Sequence, residues 1–211
     1  MTEEKIEEEQ LQPPKSESRV VDIVGWYEES WRIFKNSWHV YVLCALVFIV
    51  VNMMAQIVPF GGLVVGGPMM AGLYLVVSDL YSGKEFDLGR LFGGFAYFLP
   101  TFLAYIITTI FTTIGLFMLI IPGVIVASWY LFTYLFILDR DMDFWSAMEA
   151  SRKIAFEDIV GFALFFLTMG VINIIGIIAL FVGLLVTIPI SLIVVFVAYG
   201  QLVGFKKLAL R

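Results

Sequence analysis

Few side chains in this sequence can do chemistry, and their spacing limits what that chemistry is. There is one His, His39, and one Cys, Cys44. A lone Cys forms no internal disulfide and no Cys-based zinc site. Cys44 stands in an apolar run, where a buried, inert thiol is expected. His39 has no second His with which to share a metal, and no H-E-x-x-H, Gly-rich phosphate loop or Cys cluster occurs. Asp79 and Asp139 are the acids that border long apolar tracts. Paired, they would suit two-aspartate proteolysis. Both stand at tract ends without the usual flanking Gly motif, so the expectation is helix-end anchors that reach water or a nearby Arg. The sequence therefore predicts no catalytic residue, no metal, no cofactor and no enzymatic activity.

The uncharged polar residues of the tracts are the other candidates. Asn52 and Gln56 are four apart and share a helix face, Asn173 falls near the middle of the fifth expected helix, and Thr108, Thr109, Thr112 and Thr113 form a hydroxyl stripe. They could line a small cavity or solute path. They could equally make interhelical hydrogen bonds worth roughly 0.6–2 kcal/mol each, with the Thr hydroxyls bonding back to their own helix.

These residues sit in an unusual background. Of 211 residues, 61% are hydrophobic and 15% charged, and the mean hydropathy is +0.95. An ordinary soluble domain carries roughly 25% charged residues. That excess of apolar surface excludes a soluble enzyme, a nucleic-acid binder and a disordered chain, and points to an integral membrane protein. The charges fall in four clusters. Between them, Asn36 to Ser78, Leu91 to Leu138 and Ile159 to Phe205 carry none. One crossing takes about 20 apolar residues, so each tract holds two. Pro59, Pro122 and Pro189 are placed to break them. The expectation is all-α: six transmembrane helices near 38–58, 63–81, 97–120, 123–139, 160–183 and 187–205, arranged as three hairpins within one domain, 20–211. Gly183 competes with Pro189 for the last turn.

All 13 Lys and Arg residues then fall on one side of the bilayer. The positive-inside rule assigns that side, with both termini, to the cytoplasm. Residues 1–19 hold six acids, three bases and Pro13-Pro14. They read as a disordered acidic cytoplasmic tail rather than a secretory signal.

A mixed polar and apolar segment precedes each hairpin. In the first, Val20, Ile23, Val24, Tyr27, Trp31, Phe34 and Trp38 recur at helical spacing. The second is Phe86–Phe92, and the third starts from Asp143 as an N-cap. These predict cytoplasmic interfacial (elbow) helices. Trp26, Trp31, Trp38 and Trp145 are their expected headgroup-level anchors, together with Arg32, Arg90, Arg152 and the two aspartates. Arg32, Arg90 and Arg152 head comparable positions, and Ala71–Leu75 resembles Ala127–Leu131, so an elbow-plus-hairpin unit used three times is expected. All three units enter from one side, which relates them by an axis along the membrane normal.

One stretch carries a family resemblance. Gly115–Tyr130 with its Ile121-Pro122-Gly123 turn, then Ile137-Leu138-Asp139-Arg140, then Trp145–Ser151, together with Gly67–Gly72, resembles a group of uncharacterised prokaryotic six-helix membrane proteins. That group is related to the membrane domain preceding some glycerophosphoryl diester phosphodiesterases. The resemblance covers roughly residues 20 to 205. It implies a bacterial cytoplasmic-membrane protein and carries over no catalytic residue. The functional expectation is a non-catalytic protein that organises or senses the bilayer or scaffolds partners. The alternative is a transporter or channel for a small or apolar solute or lipid. Membrane lipids are the expected partners, then a membrane protein or a second copy; nucleic acid is not.

Overall fold

The computed structural model describes residues 21–118, 120–179 and 182–209; the acidic segment 1–19 lies outside them. Secondary structure is helical, with no strand among the described residues. The helices are α1 Ile23–Asn36, α2 Trp38–Ala55, α3 Gly61–Tyr81 and α4 Gly89–Phe92. The last continues through a 3-10 turn, Gly93–Tyr97, into α5 Phe98–Met118. Then come α6 Ile120–Trp129, α7 Thr133–Arg140, α8 Phe144–Glu157, α9 Ile159–Ile178 and α10 Leu184–Leu202. Six stretches are long and apolar enough to cross a membrane: Trp38–Ala55, Gly61–Tyr81, Gly89–Gly115, Ile121–Arg140, Ile159–Ile178 and Leu184–Leu202.

The prolines do not all break helices. Pro59 lies in the turn before α3, where Phe60 takes a positive φ of 64°. Pro122 occupies the first turn of α6, where its missing N–H costs nothing. Pro68 and Pro189 instead lie inside α3 and α10. Neighbouring helices make interior prolines tolerable in such bundles. The last turn therefore precedes α10 at Gly183.

Burial alternates along the chain. In each consecutive pair of spans the second is the more buried: 67% against 22%, 50% against 17% and 56% against 22% of residues. The buried helices touch one another. Tyr74 of α3 stacks near Tyr134 of α7 with ring centroids 6.4 Å apart, Phe136 of α7 meets Tyr199 of α10 at 5.2 Å, and Tyr81 of α3 meets Phe196 of α10 at 5.5 Å. The outer helices fill the grooves between them: α2 packs on α3 and α10, α5 on α6 and α3, α9 on α10 and α6. Each outer helix thus rests on the inner helix that follows it in sequence and on that of the preceding pair, and the pattern closes in a circle. The shorter helices obey the same rule. The α4 segment lies on α3, α8 on α6 and α7, and α1 on α10. At the α3 contact the backbones nearly touch: a Cβ on Gly94 would sit 2.0 Å from the Pro68 carbonyl oxygen.

Helices α1 and α8 match in detail. Each has 14 residues, each is N-capped by an aspartate (Asp22, Asp143), and each buries its fourth, eighth and twelfth residues, Trp26, Ser30, Phe34 and Ala147, Ser151, Ala155. The spacing between equivalent residues is 121, from Ile23 to Phe144. The helices that follow, starting at Trp38 and Ile159, keep that spacing. Arg32 therefore corresponds to Lys153, one residue away from the expected match with Arg152.

Candidate functional site

An interruption in the fourth span creates the most distinctive site. Residues 130–132 form a turn between α6 and α7. There the Thr133 N–H bonds the Tyr130 carbonyl at 3.2 Å. A regular helix would have used it on Trp129. The Trp129 carbonyl and the Phe132 N–H are thereby freed inside the protein, where an unpaired backbone group is costly. Ser151 of α8 supplies both partners: its hydroxyl donates to the Trp129 carbonyl at 2.6 Å and accepts from the Phe132 N–H at 3.1 Å. Ala147 and Ala155, fully buried on either side of Ser151, let α8 approach closely enough for that reach.

Docked in this way, α8 forms a cleft with α5 and α6 of about 250 Å³, lined by Phe111, Trp129, Tyr130, Trp145, Met148, Glu149 and Arg152. Its walls are aromatic. Phe111 and Tyr130 lie 6.2 Å apart, and Trp129 stacks on Phe156 at 4.8 Å. The Arg152 guanidinium lies over the Phe156 ring at 5.5 Å and pairs loosely with Glu149 at 3.7 Å, which Lys153 also reaches at 3.6 Å. The Trp129 indole N–H is buried and has no partner. At the start of α8, Asp143 accepts from the Trp145 and Ser146 N–H groups at 2.9 and 3.2 Å. Hydrogen bonds from Ser146, then from the backbone, hold its carboxyl below the usual aspartate range.

The inner helices end side by side, and each end is tied differently. Asp79 of α3 takes Arg90 at 2.6 Å and Lys84 at 3.2 Å. Gln201 of α10 accepts from the Trp26 indole N–H at 2.8 Å. Asp139 of α7 is wrapped by backbone. After α10, Gly204 at φ 77° turns the chain back. The N–H groups of Lys206, Lys207 and Leu208 then converge on the carboxylate at 2.7–3.0 Å, joined by the Tyr199 hydroxyl at 3.0 Å. This strap is pinned to α3 where Ser78 accepts from the Ala209 N–H at 2.9 Å. Outside the spans, Lys207 donates to Asp141 at 2.8 Å and to the Tyr97 hydroxyl at 3.2 Å. Those bonds, the one to Asp141 first, raise its pKa.

No family model, curated protein or solved structure matches the chain.

The expected anchor residues divide. Trp31, Trp38 and Trp145 are 44%, 58% and 56% exposed, as side chains facing a bilayer would be. Trp26 differs: it is 1% exposed, packed edge-on against Phe165 at 4.9 Å and bonded to Gln201, so it is a core residue. Arg32 pairs with Glu29 at 3.2 Å on its own helix, and Arg90 joins Asp79. Asp139 does not reach water; its side chain is fully covered, with Arg140 3.9 Å away.

The polar set is scattered. Asn173 bonds Ser191 of α10 at 2.8 Å and its own helix at Met169, while Asn52 bonds back to the Phe48 carbonyl at 2.9 Å. Gln56, Thr109 and Thr113 are exposed, and Thr108 and Thr112 half-exposed. Among the described residues no hydrogen bond joins Asn52, Gln56 and the four threonines to one another, and no three His, Cys, Asp or Glu side chains could share a metal. Sequence reasoning passed over Ser151 and Trp129. The available signal was a Ser on the buried face of both 14-residue helices at one spacing.

Proposed function

We propose that this is a non-catalytic multi-pass protein of the cytoplasmic membrane whose charged end engages phospholipid, in a bilayer-organising, lipid-sensing or partner-scaffolding role. Its spans form three hairpins, each preceded by an interfacial helix, with both termini in the cytoplasm as the basic residues direct. One observation carries the reading: the cleft of Trp129, Tyr130 and Trp145 beside Glu149 and Arg152. Trp, Tyr and Arg with apolar neighbours are the side chains suited to the headgroup level. Further support comes from what the other groups are doing. Asp79 and Asp139 are committed to ion pairs and backbone N–H groups. The centres of α3, α7 and α10 are filled by Met69, Leu135, Ile137, Ile193 and Phe196, all fully buried. The resemblance to prokaryotic six-helix membrane proteins is in keeping with it.

The test uses the full chain in vesicles and in detergent. Phospholipid should co-purify with it, and Arg152→Gln should lower the amount retained. Vesicles holding the protein should release entrapped solute no faster than empty ones. A saturable flux abolished by Asn173→Ala would overturn the reading in favour of conduction.

A further inference from the structure

The cleft between α5, α6 and α8 is lined by one acidic and one basic side chain, Glu149 and Arg152. Glu149 and Arg152 stand about one helical turn apart on α8, both side chains a little over 40% exposed, and they touch only at 3.7 Å. So loose a surface pair contributes little and is split at small cost. A purely anionic ligand would meet Glu149; a purely cationic one would meet Arg152 and Lys153. A ligand with both signs satisfies both. Its cation can take the Glu149 carboxylate and the electron-rich faces of Tyr130 and Trp145. Its anion can take the Arg152 guanidinium, a planar fork suited to phosphate oxygens. At a membrane surface phosphoethanolamine, phosphocholine and phosphoserine all carry an ammonium two carbons from the phosphate oxygen; phosphocholine has no N–H to donate to Glu149 and phosphoserine adds a carboxylate that would meet it, which leaves phosphoethanolamine.

We propose that this cleft binds the zwitterionic headgroup of a phosphatidylethanolamine-type lipid, with phosphate on Arg152 and ammonium on Glu149 among the aromatic rings. The assignment rests on the lipid-engaging reading above and adds the headgroup class.

The experiment is native mass spectrometry of the full chain, delipidated in detergent. It is titrated with short-chain phosphatidylethanolamine, short-chain phosphatidylglycerol and soluble phosphoethanolamine. Phosphatidylethanolamine should bind about tenfold more tightly than phosphatidylglycerol, as one added charge contact over aromatic faces provides. Glu149→Gln should remove that preference by weakening phosphatidylethanolamine alone, and Arg152→Gln should weaken both lipids. Trp145→Ala removes an aromatic face without touching either charge and should lower phosphatidylethanolamine binding several-fold. All three positions are at the surface, and an unchanged gel-filtration profile checks each variant's fold. Equal binding of the two lipids, or a Glu149→Gln variant with unaltered preference, overturns the zwitterion assignment while lipid engagement stands. Soluble phosphoethanolamine that binds as tightly as the lipid overturns the lipid source. Failure of both lipids to bind above the detergent background removes both readings.

Discussion

Helices α1 and α8 are built to one plan and attach by opposite means. Both bury their fourth, eighth and twelfth residues. In α1 the outer two are large, Trp26 and Phe34; in α8 they are Ala147 and Ala155. The middle residue is Ser in each, and the flanking size decides what it does. Held off by Trp26 and Phe34, the Ser30 hydroxyl bonds only its own helix, at the Trp26 carbonyl, 2.6 Å. Ser151, between two alanines, reaches the backbone of another helix and closes its gap. The comparison shows that one burial pattern specifies where a helix lies, while side-chain volume sets how near it comes and so which polar groups can meet.

The strongest way to break this comparison is to exchange the volumes. Trp26→Ala should cost about 3–5 kcal/mol, the range for deleting a buried aromatic. It would be read from unfolding in detergent micelles, and a loss below about 1 kcal/mol would mean α1 does not depend on that anchor. Ala147→Trp should cost about 1–3 kcal/mol by overpacking and should also enlarge or erase the cleft. Next comes the serine pair. Ser151→Ala strands two buried backbone groups, at about 1–3 kcal/mol for an unsatisfied group, whereas Ser30→Ala should stay within about 0.5 kcal/mol. Equal losses at the two positions would dissolve the distinction.

The smallest effect concerns the cap. Asp143→Ala should cost about 1 kcal/mol. Because the folded carboxyl titrates below its unfolded value, the cap's contribution is complete above the ordinary aspartate pKa of about 3.9. It is lost as the pH falls through the lowered folded value. Amide protection at 145–148 should therefore decline as the pH falls below about 3.9 and through the lowered folded value, and Asp143→Asn should flatten that decline.

The sequence made the apolar helices easy to find, because a fixed charge in a membrane span is expensive and its absence over more than 40 consecutive residues leaves few alternatives. The turns were harder. Pro122 sits in a helix's first turn, but Pro68 and Pro189 continue inside helices, since neighbours within a bundle stabilise what an isolated helix would not. The expected repeat has two conflicting spacings. Ala71–Leu75 and Ala127–Leu131 are 56 apart, while Asp79 and Asp139 are 60 apart. No local residue preference announces the interruption at 130–132. The cleft was half legible: Trp145 and Arg152 stood out as surface-seeking types, but Trp129 and Ser151 acquire their roles only from that interruption. Asp139 was legible as a helix end. Its wrapping by the strap depends on a fold-back at Gly204 and on contacts more than 60 residues apart in sequence.

The closed ring of helices also sets a timetable for biosynthesis. Trp26 finds Gln201 only after 175 further residues have been made. At roughly 5–20 residues per second that is a wait of about 10–35 seconds. Throughout that interval α1 and α2 have been translated but lack their seat on α10, so the earliest helices are the last to be locked. A ribosome that stops just before α10 releases a chain in which α1, α2 and α9 all lack the helix they pack on. Quality-control proteases would meet such a chain as an open ring with its tryptophan uncovered.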